Sequence, residues 1–395
     1  MKKTNSTALI EHGLVAVIAM TLIVVLGWLS FNIKFLSPVA RAIQEFSLSD
    51  MYYNIEWQEN GAPEMSRDIT LIDITEVRKR DEIANVIEKV KQCSPAVIGV
   101  DIIFEDQNYD IHGDMVLMDV AEASGAIFAY KLTDYAPMTD SFQERVRSYF
   151  ATDSIKEGYV NAIGDMTATC LRRFSIERNF RGQPQRSFTA QVAEAYSKND
   201  IPLGKTDDRF INYRFIDFPV IKYDSVLANR NLIKDRIVLI GTIGEEADMH
   251  FTPLGKRPGL KVQAYSIQTV IDQKNIETTD DNTLMLLSLL ICWLTALWQL
   301  YWIKFVNSRK NSLWVFLANS NIFFNGITFA WLALLAWLTY IIYERMEYYI
   351  PMVMVLASVV LVAEARDIYA AIINGLANSN DTFKKSVYYK DKKTS

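Results

Sequence analysis

The stretch "DITLIDITEVRKRDEIANVIEKVKQCSPAVIGVDIIF", Asp68 to Phe104, decides the fold. Asp68 to Ile74 is an apolar run of strand length. Glu82 to Cys93 follows with Ile83, Val86, Ile87 and Val90 at helical spacing on one face. Ser94-Pro95 stops that helix. Ala96 to Phe104, dense in Val and Ile, is then a second buried strand. The order strand, helix, strand predicts a parallel β-α-β unit with a right-handed crossover. Asp101 interrupts the second run, and a charge buried there is costly unless paired. An Arg or Lys partner inside the domain is expected for it.

Outward from this unit, a polar segment leads to a helix over Asp114 to Ser124, ended by Gly125. A third strand is expected over Ala126 to Leu132. Residues 134 to 153 read as an inserted loop with one short helix. "EGYVNAI", Glu157 to Ile163, and "CLRRFSIER", Cys170 to Arg178, alternate like antiparallel strands. Ser187 to Ser197 reads as a helix with Phe188, Val192 and Ala195 inward, and "FINYRF", Phe210 to Phe215, as a short strand. Tyr223 to Leu227 resembles a helical turn with Asp224 as its N-cap. Asp235 to Gly241 is another buried strand, and Lys261 to Gln273 a helix running toward the membrane. The fold class is α/β, a largely parallel sheet with an antiparallel extension.

Four apolar segments flank this domain. Gly13 to Phe31 is uncharged and long enough to cross a bilayer core, which takes about 20 residues. "ARA" at Ala40 to Ala42 mimics a cleavage site, but the run exceeds a signal-peptide core and Lys34 and Arg41 fit cleavage poorly, so it reads as an uncleaved signal anchor. Three further transmembrane α-helices are expected over Thr283 to Phe305, Ile322 to Tyr343 and Tyr348 to Ala363. Lys304, Arg309 and Lys310 lie between the first two of these, and Lys384, Lys385, Lys390, Lys392 and Lys393 end the chain. Positive charge retained inside places both termini in the cytoplasm and residues 37–281 outside an inner (cytoplasmic) membrane. The units are then 1–36, 37–281, a three-helix region 282–365 and a Lys-rich tail 366–395. Asn325, just before Gly326, is either a polar lining residue or an interhelical hydrogen bond.

The 395 residues are half hydrophobic with a formal charge of −5 and no basic face, which argues against a nucleic-acid partner. Cys93, Cys170 and Cys292 lack metal spacing, and a Cys93–Cys170 disulfide requires an oxidising compartment. Asp73, Asp101, Glu105 and Asp248 fall within or just after expected strands, where open parallel sheets bind ligands. They form either a polar pocket for a small ligand or cation, or turn and helix caps. Glu246, Asp248 and His250 are too few for a zinc or calcium site, with His12 and His112 remote. No metal and no cofactor is expected. Neither a G-x-S-x-G elbow nor a dinucleotide fingerprint is present, so no enzyme activity is expected.

"RIVLIGTIGEEADMHFTPLGKRPGLKVQAYSIQTVI", Arg236 to Ile271, resembles the C-terminal signature of the second family of CHASE sensor domains (cyclase/histidine-kinase-associated sensory extracellular). The matching positions are Gly241, Asp248, Thr252, Pro253, Pro258 and Gly259. "AVIGVDIIFED" and "LIDI" resemble that family's second and first strands, and "SVLANRNLIKDRIVLIG" its short helix, linker and final strand. The resemblance covers roughly residues 68–272, weakly over 131–185. The order of one span, domain and three spans agrees with it. "ITEVRKRDEI" departs from the family's Ser-containing, Trp-Pro-rich segment, and Gly259-Leu260 stands where Gly-Val is usual. The resemblance implies an extracytoplasmic sensor of a small ligand or envelope signal; a homo-oligomer is compatible with the sequence, which does not set the oligomeric state. Only about thirty residues follow the last expected span, too few for an output domain, so a separate partner protein is expected to read the signal. A membrane scaffold that kept the fold without sensing, and an extracytoplasmic hydrolase, are the alternatives.

Overall fold

A computed structural model describes residues 2–32, 48–59, 61–106, 110–161, 170–202, 208–274, 276–307 and 321–389. The chain divides into a helical unit, Met1–Ser49 with Glu277–Ser395, and an α/β unit, Asp50–Ile276. Chain order begins with α1, Lys2–Asn32, in the helical unit. The α/β unit then runs α2 (Leu48–Glu59), β1 (Glu64–Met65), β2 (Ile69–Asp73), α3 (Arg80–Gln92), β3 (Val97–Val100), α4 (Ile111–Ser124) and β4 (Ile127–Ala136). Next come β5 (Ser141–Val146), β6 (Lys156–Tyr159), β7 (Arg173–Ser175), β8 (Glu177–Phe180), β9 (Gln183–Arg186), α5 (Phe188–Ser197), β10 (Asp208–Phe210), β11 (Ile216–Asp217) and β12 (Val220–Lys222). The unit closes with β13 (Ile237–Gly241), β14 (Met249–Thr252), β15 (Gly255–Pro258) and α6 (Gly259–Ile271).

The central sheet has the order β12-β2-β13-β3-β4-β5-β8-β9, with β6 paired to β4. Every pairing from β12 through β4, and β4 with β6, is parallel; β4 with β5 and β8 with β9 are antiparallel. The largely parallel sheet with an antiparallel extension is therefore present. The strands β3 and β13 are buried at every residue, as expected where helices cover both faces. One face carries Ile72, Ile98, Val100, Phe128, Val238 and Ile240 into a core shared with Ile83, Val86, Ile87 and Val90 of α3 and Leu117 of α4. The opposite face meets α5 and α6: a Cβ on Gly99 would lie 2.8 Å from Phe188 and one on Gly241 2.9 Å from Leu260. Asp110 caps α4 by accepting from the Gly113 N–H, and Gly125 ends it in the left-handed region.

Several local expectations are corrected. The strands β2 and β3 are parallel members of one sheet, as the β-α-β reading expects, and β13 is inserted between them. Residues 141–146 form β5, hairpinned onto β4 through Tyr135 opposite Phe142, instead of a short helix. The segment at Glu157 adds to β4 in parallel, not antiparallel, with Lys156 opposite Ile127 and Tyr159 opposite Tyr130. Ile211 to Phe215 lies outside any strand, β10 ending at Phe210. Lys222, not Asp224, occupies the cap position of the turn at Tyr223, and Asp224 accepts instead from the Ser225 hydroxyl. Cys93 and Cys170 are not joined by a disulfide.

In the helical unit, β16 (Glu277–Thr278), α7 (Asp281–Asn307), α8 (Asn321–Met346), β17 (Tyr348–Tyr349), α9 (Met352–Val360) and α10 (Val362–Ala377) complete the chain order. Three helices are long and apolar enough to cross a membrane, over Ala8–Leu29, Asp281–Trp302 and Gly326–Met346. The expected fourth span at Tyr348 to Ala363 is not a single long helix. Pro351 stands at the head of α9, Leu361 interrupts the helix, and α10 carries the charges of Glu364, Arg366 and Asp367. Leu361 nonetheless donates to Ala357 and Ser358 and accepts from Ala365, so the ladder carries on past the break. Asn325 falls in α8, and its side chain lies outside the described residues, as do Lys390, Lys392 and Lys393 of the tail.

Helix α1 packs on α7 and α10 through Val15, Ala16, Ala19, Cys292, Ala296 and Ala365. At its start, His12 Nδ1 lies 2.6 Å from the Tyr388 hydroxyl, and Glu11 accepts from the Val387 N–H at 3.0 Å. At the other end of the unit, β16 and β17 pair in parallel, Glu277 opposite Tyr348.

Candidate functional site

Three positions line up across the carboxyl edge of the parallel sheet. Gly241, last in β13, pairs with Asp73, last in β2. Asp101 directly follows β3, and its N–H donates to the Ile240 carbonyl at 2.9 Å. Strand spacing separates the Cα atoms of Asp73 and Asp101 by about 10 Å, with Gly241 between them. Alternation along β2, β13 and β3 puts all three on the face that meets α6, because their neighbours Ile72, Ile240 and Val100 point the other way. Gly241 is required there: its absent side chain is the space that Leu260 fills.

Asp73 is used structurally. Its carboxylate accepts from the Thr75 N–H at 3.0 Å and hydroxyl at 2.5 Å. Thr75 Oγ1 in turn accepts from the N–H groups of Ile243 and Gly244, both at 3.0 Å. The loops after β2 and β13 are thereby tied together, with a threonine hub that the sequence signals only as a polar residue after "LIDI". Glu105 lies past the end of β3 and is exposed, and it is not among the charges acting on Asp101.

Asp248 is brought to the same edge by the hairpin β14–β15. Thr252 closes that hairpin by donating to the Gly255 carbonyl at 2.7 Å and accepting from the Leu254 N–H. The Pro253 carbonyl accepts from Asn54 of α2 at 3.1 Å, and Pro258, with φ −62°, sets the entry into α6. The Asp248 carboxylate then rests on Gly259, the first residue of α6, where a Cβ would lie 2.6 Å from Oδ1. His250 Nε2 is 3.8 Å from Asp248 Oδ1. The signature glycines and prolines thus deliver one carboxylate to the head of one helix.

Asp101 has neither an ion pair nor a side-chain hydrogen bond among the described residues, which overturns the expected Arg or Lys partner. The charges that act on it are Asp248, His250 and Lys131 of β4. Burial pushes the Asp101 carboxyl from its ordinary 3.8 up to about 7; the Asp248 charge adds to the rise, while His250 and Lys131 oppose it. A carboxyl in this state takes up or releases a proton near neutrality beside a second carboxylate. Among the described residues, no group of three or more His, Cys, Asp or Glu side chains is gathered as a metal site. The site can therefore change charge at the point where the last strand hands over to α6. The sequence named both acids and left Asp73 as either a ligand contact or a turn cap, and here it makes the turn contact with Thr75; the parts of Thr75 and Lys131 carry no sequence signal.

A family model described as CHASE2 domain matches residues 16–306, from inside α1 to the end of α7. No curated protein and no solved structure matches the chain.

Proposed function

The chain belongs to the CHASE2 domain family, a sensory extracellular family, and on that premise we propose that it is a membrane-anchored sensor read by a partner protein. Residues 37–281 face the outside of the cytoplasmic membrane and both termini face the cytoplasm. The observation that carries the reading is the Asp101–Asp248 pair. Its charge depends on the local medium, and Asp248 rests on the first residue of α6. A proton, cation or small polar solute that favours one charge state biases the position of that helix head. Helix α6 is the last helix before the chain returns to α7.

Two contacts support an even number of crossings. The start of α1 is bonded to Val387 and Tyr388, and Glu277 pairs with Tyr348 beyond the far end of α8. Helices α9 and α10 then make the fourth passage. From Met352 to Ala377 they provide roughly 39 Å of helix at 1.5 Å per residue. The uncleaved signal anchor is α1.

The test uses native membranes carrying full-length protein, wild type or Asp248→Asn, crosslinked and recovered across a panel of pH values, cations and small solutes. Sensing expects partner recovery to vary with the medium for the wild type and to lose that variation in the variant. Recovery that is constant in every medium would leave a scaffold and refute sensing.

A further inference from the structure

The α/β unit holds a cavity of about 20 Å³ between β6, β7, the start of α5 and α6. The strands supply Tyr159, Arg173 and Ser175, the α5 cap supplies Ser187, and α6 supplies Gln263 and Ser266. Its wall has a surplus of donors. Tyr159 and Ser175, 1 % and 3 % exposed, share one hydrogen bond of 2.8 Å between their hydroxyls. Two hydroxyls carry two hydrogens, so one buried O–H is left without an acceptor among the described residues. Burial pushes the Tyr159 phenol up, so it stays protonated. The buried Ser187 hydroxyl accepts from the Ala190 N–H and donates to no described residue. Arg173 is half-buried, with its guanidinium 4.4 Å from the Phe210 ring centroid. It makes neither an ion pair nor a side-chain hydrogen bond among the described residues. Stacking occupies the face of the guanidinium and leaves its N–H edge free. The side-chain amide acceptors are already taken: Asn161 Oδ1 accepts from the Leu132 N–H, and Gln263 Oε1 from the Thr189 hydroxyl. Among the described residues, no Asp or Glu lines the cavity.

Buried donors without acceptors are costly, and so is a partly desolvated cation without a counter-charge. One occupant answers both: an anion that offers acceptor oxygens and no donors. Charge and size narrow it further. Arg173 is the single charged residue of the wall among the described residues, so it matches one negative charge and leaves a dianion uncompensated. One water takes about 10–15 Å³ by the same measure, so the space admits a group of a few heavy atoms. The two oxygens of a carboxylate fit the guanidinium fork. Ile211 and Val262, both buried, give an apolar wall for a short tail. We propose that this cavity binds a short monocarboxylate, with its oxygens on the Arg173 guanidinium and on the hydroxyls of Ser187 and the Tyr159–Ser175 pair, and its alkyl end against Ile211 and Val262. Gln263 and Ser266 set the ligand against α6, so occupancy acts on the helix whose first residue Asp248 touches.

The site adds a ligand to the sensor reading without resting on it: the test below can fail while the Asp248→Asn test holds, and the reverse. Full-length protein in detergent micelles is titrated with acetate at neutral pH and constant ionic strength. Hydrogen exchange is read on peptides covering β6, β7 and the start of α5. A ligand of so few atoms with one charge-assisted contact is expected to bind with a Kd of about 1 mM. At about ten times that concentration, exchange of those peptides should slow about tenfold, as 1 + [L]/Kd requires. Acetamide, of the same shape but uncharged and carrying donors, should leave exchange unchanged, and sulfate should protect less than acetate. Arg173→Met should abolish the acetate effect, and Arg173→Lys, which keeps the charge without the fork, should weaken it about tenfold. The acetamide and sulfate arms use the wild type and decide the matter even where a variant does not accumulate. Exchange that acetate does not slow would overturn the proposal. Equal protection by acetamide or sulfate, or an acetate effect that survives Arg173→Met, would overturn it as well.

Discussion

Replacing Asp101 by Asn should abolish a pH dependence that the α/β unit otherwise carries. In the folded chain the Asp101 carboxyl is pushed from 3.8 up to about 7, with burial the main cause. In the unfolded chain it titrates near 4. Between those values the folded state binds more protons than the unfolded state, so stability falls as pH rises. The stability is fully present below about pH 4 and is lost as pH passes through 7. A difference of about three pKa units corresponds to roughly 4 kcal/mol, or a thousandfold in the opening equilibrium. Asn cannot ionise. The variant should match the wild type near pH 4 and exceed it by up to about 4 kcal/mol at pH 8. Hydrogen exchange of peptides from β3 and β13 in the full-length protein, corrected for intrinsic rates, isolates this unit from the helical one. A wild type whose protection is flat from pH 5 to pH 8 would refute the argument. A variant that keeps the slope would assign it to another group. Asp248→Asn should remove only the smaller part of the slope, because desolvation outranks the Asp248 charge.

Three further outcomes are expected. Gly158→Ala should lower thermal stability by about 3 kcal/mol, since its Cβ would lie 2.4 Å from Phe188 Cα and 2.5 Å from Phe188 N, backbone atoms that cannot turn aside. Arg80→Met should cost about 2 kcal/mol in urea unfolding by removing the charge-assisted bond to Asp114, whose side chain is 7 % exposed, and Arg80→Met with Asp114→Leu should recover part of it. Cysteines placed at Glu11 and Val387 should form a disulfide within one chain in oxidised membranes, and failure to crosslink would show that the C-terminal segment is not seated on α1.

The elements most legible in the sequence were those with strong local pattern. Ile83, Val86, Ile87 and Val90 repeat at helical spacing and all are buried in α3. The runs at Ile69, Val97 and Ile237 are continuous because both faces of those strands are covered. The hairpin at β4–β5 was missed because Ser141 to Val146 alternates only briefly and its partner lies across a turn. The apolar run before Glu364 is too short to distinguish a span from an interrupted helix by hydropathy.

The sequence by itself determined the α/β class, the parallel core and three apolar helices, because periodicity and apolar run length are local properties of the chain. Tertiary structure alone decided that β13 enters between β2 and β3, and it thereby brought Asp101 beside Asp248 across 147 positions of chain. Strand order is set by non-local closure and packing, which leave no periodic trace in the strands themselves. The same holds for charge. Asp101 read as half of an ion pair because burial was visible in its neighbours, whereas the sign of the group facing it depended on which loop the fold laid across the sheet edge.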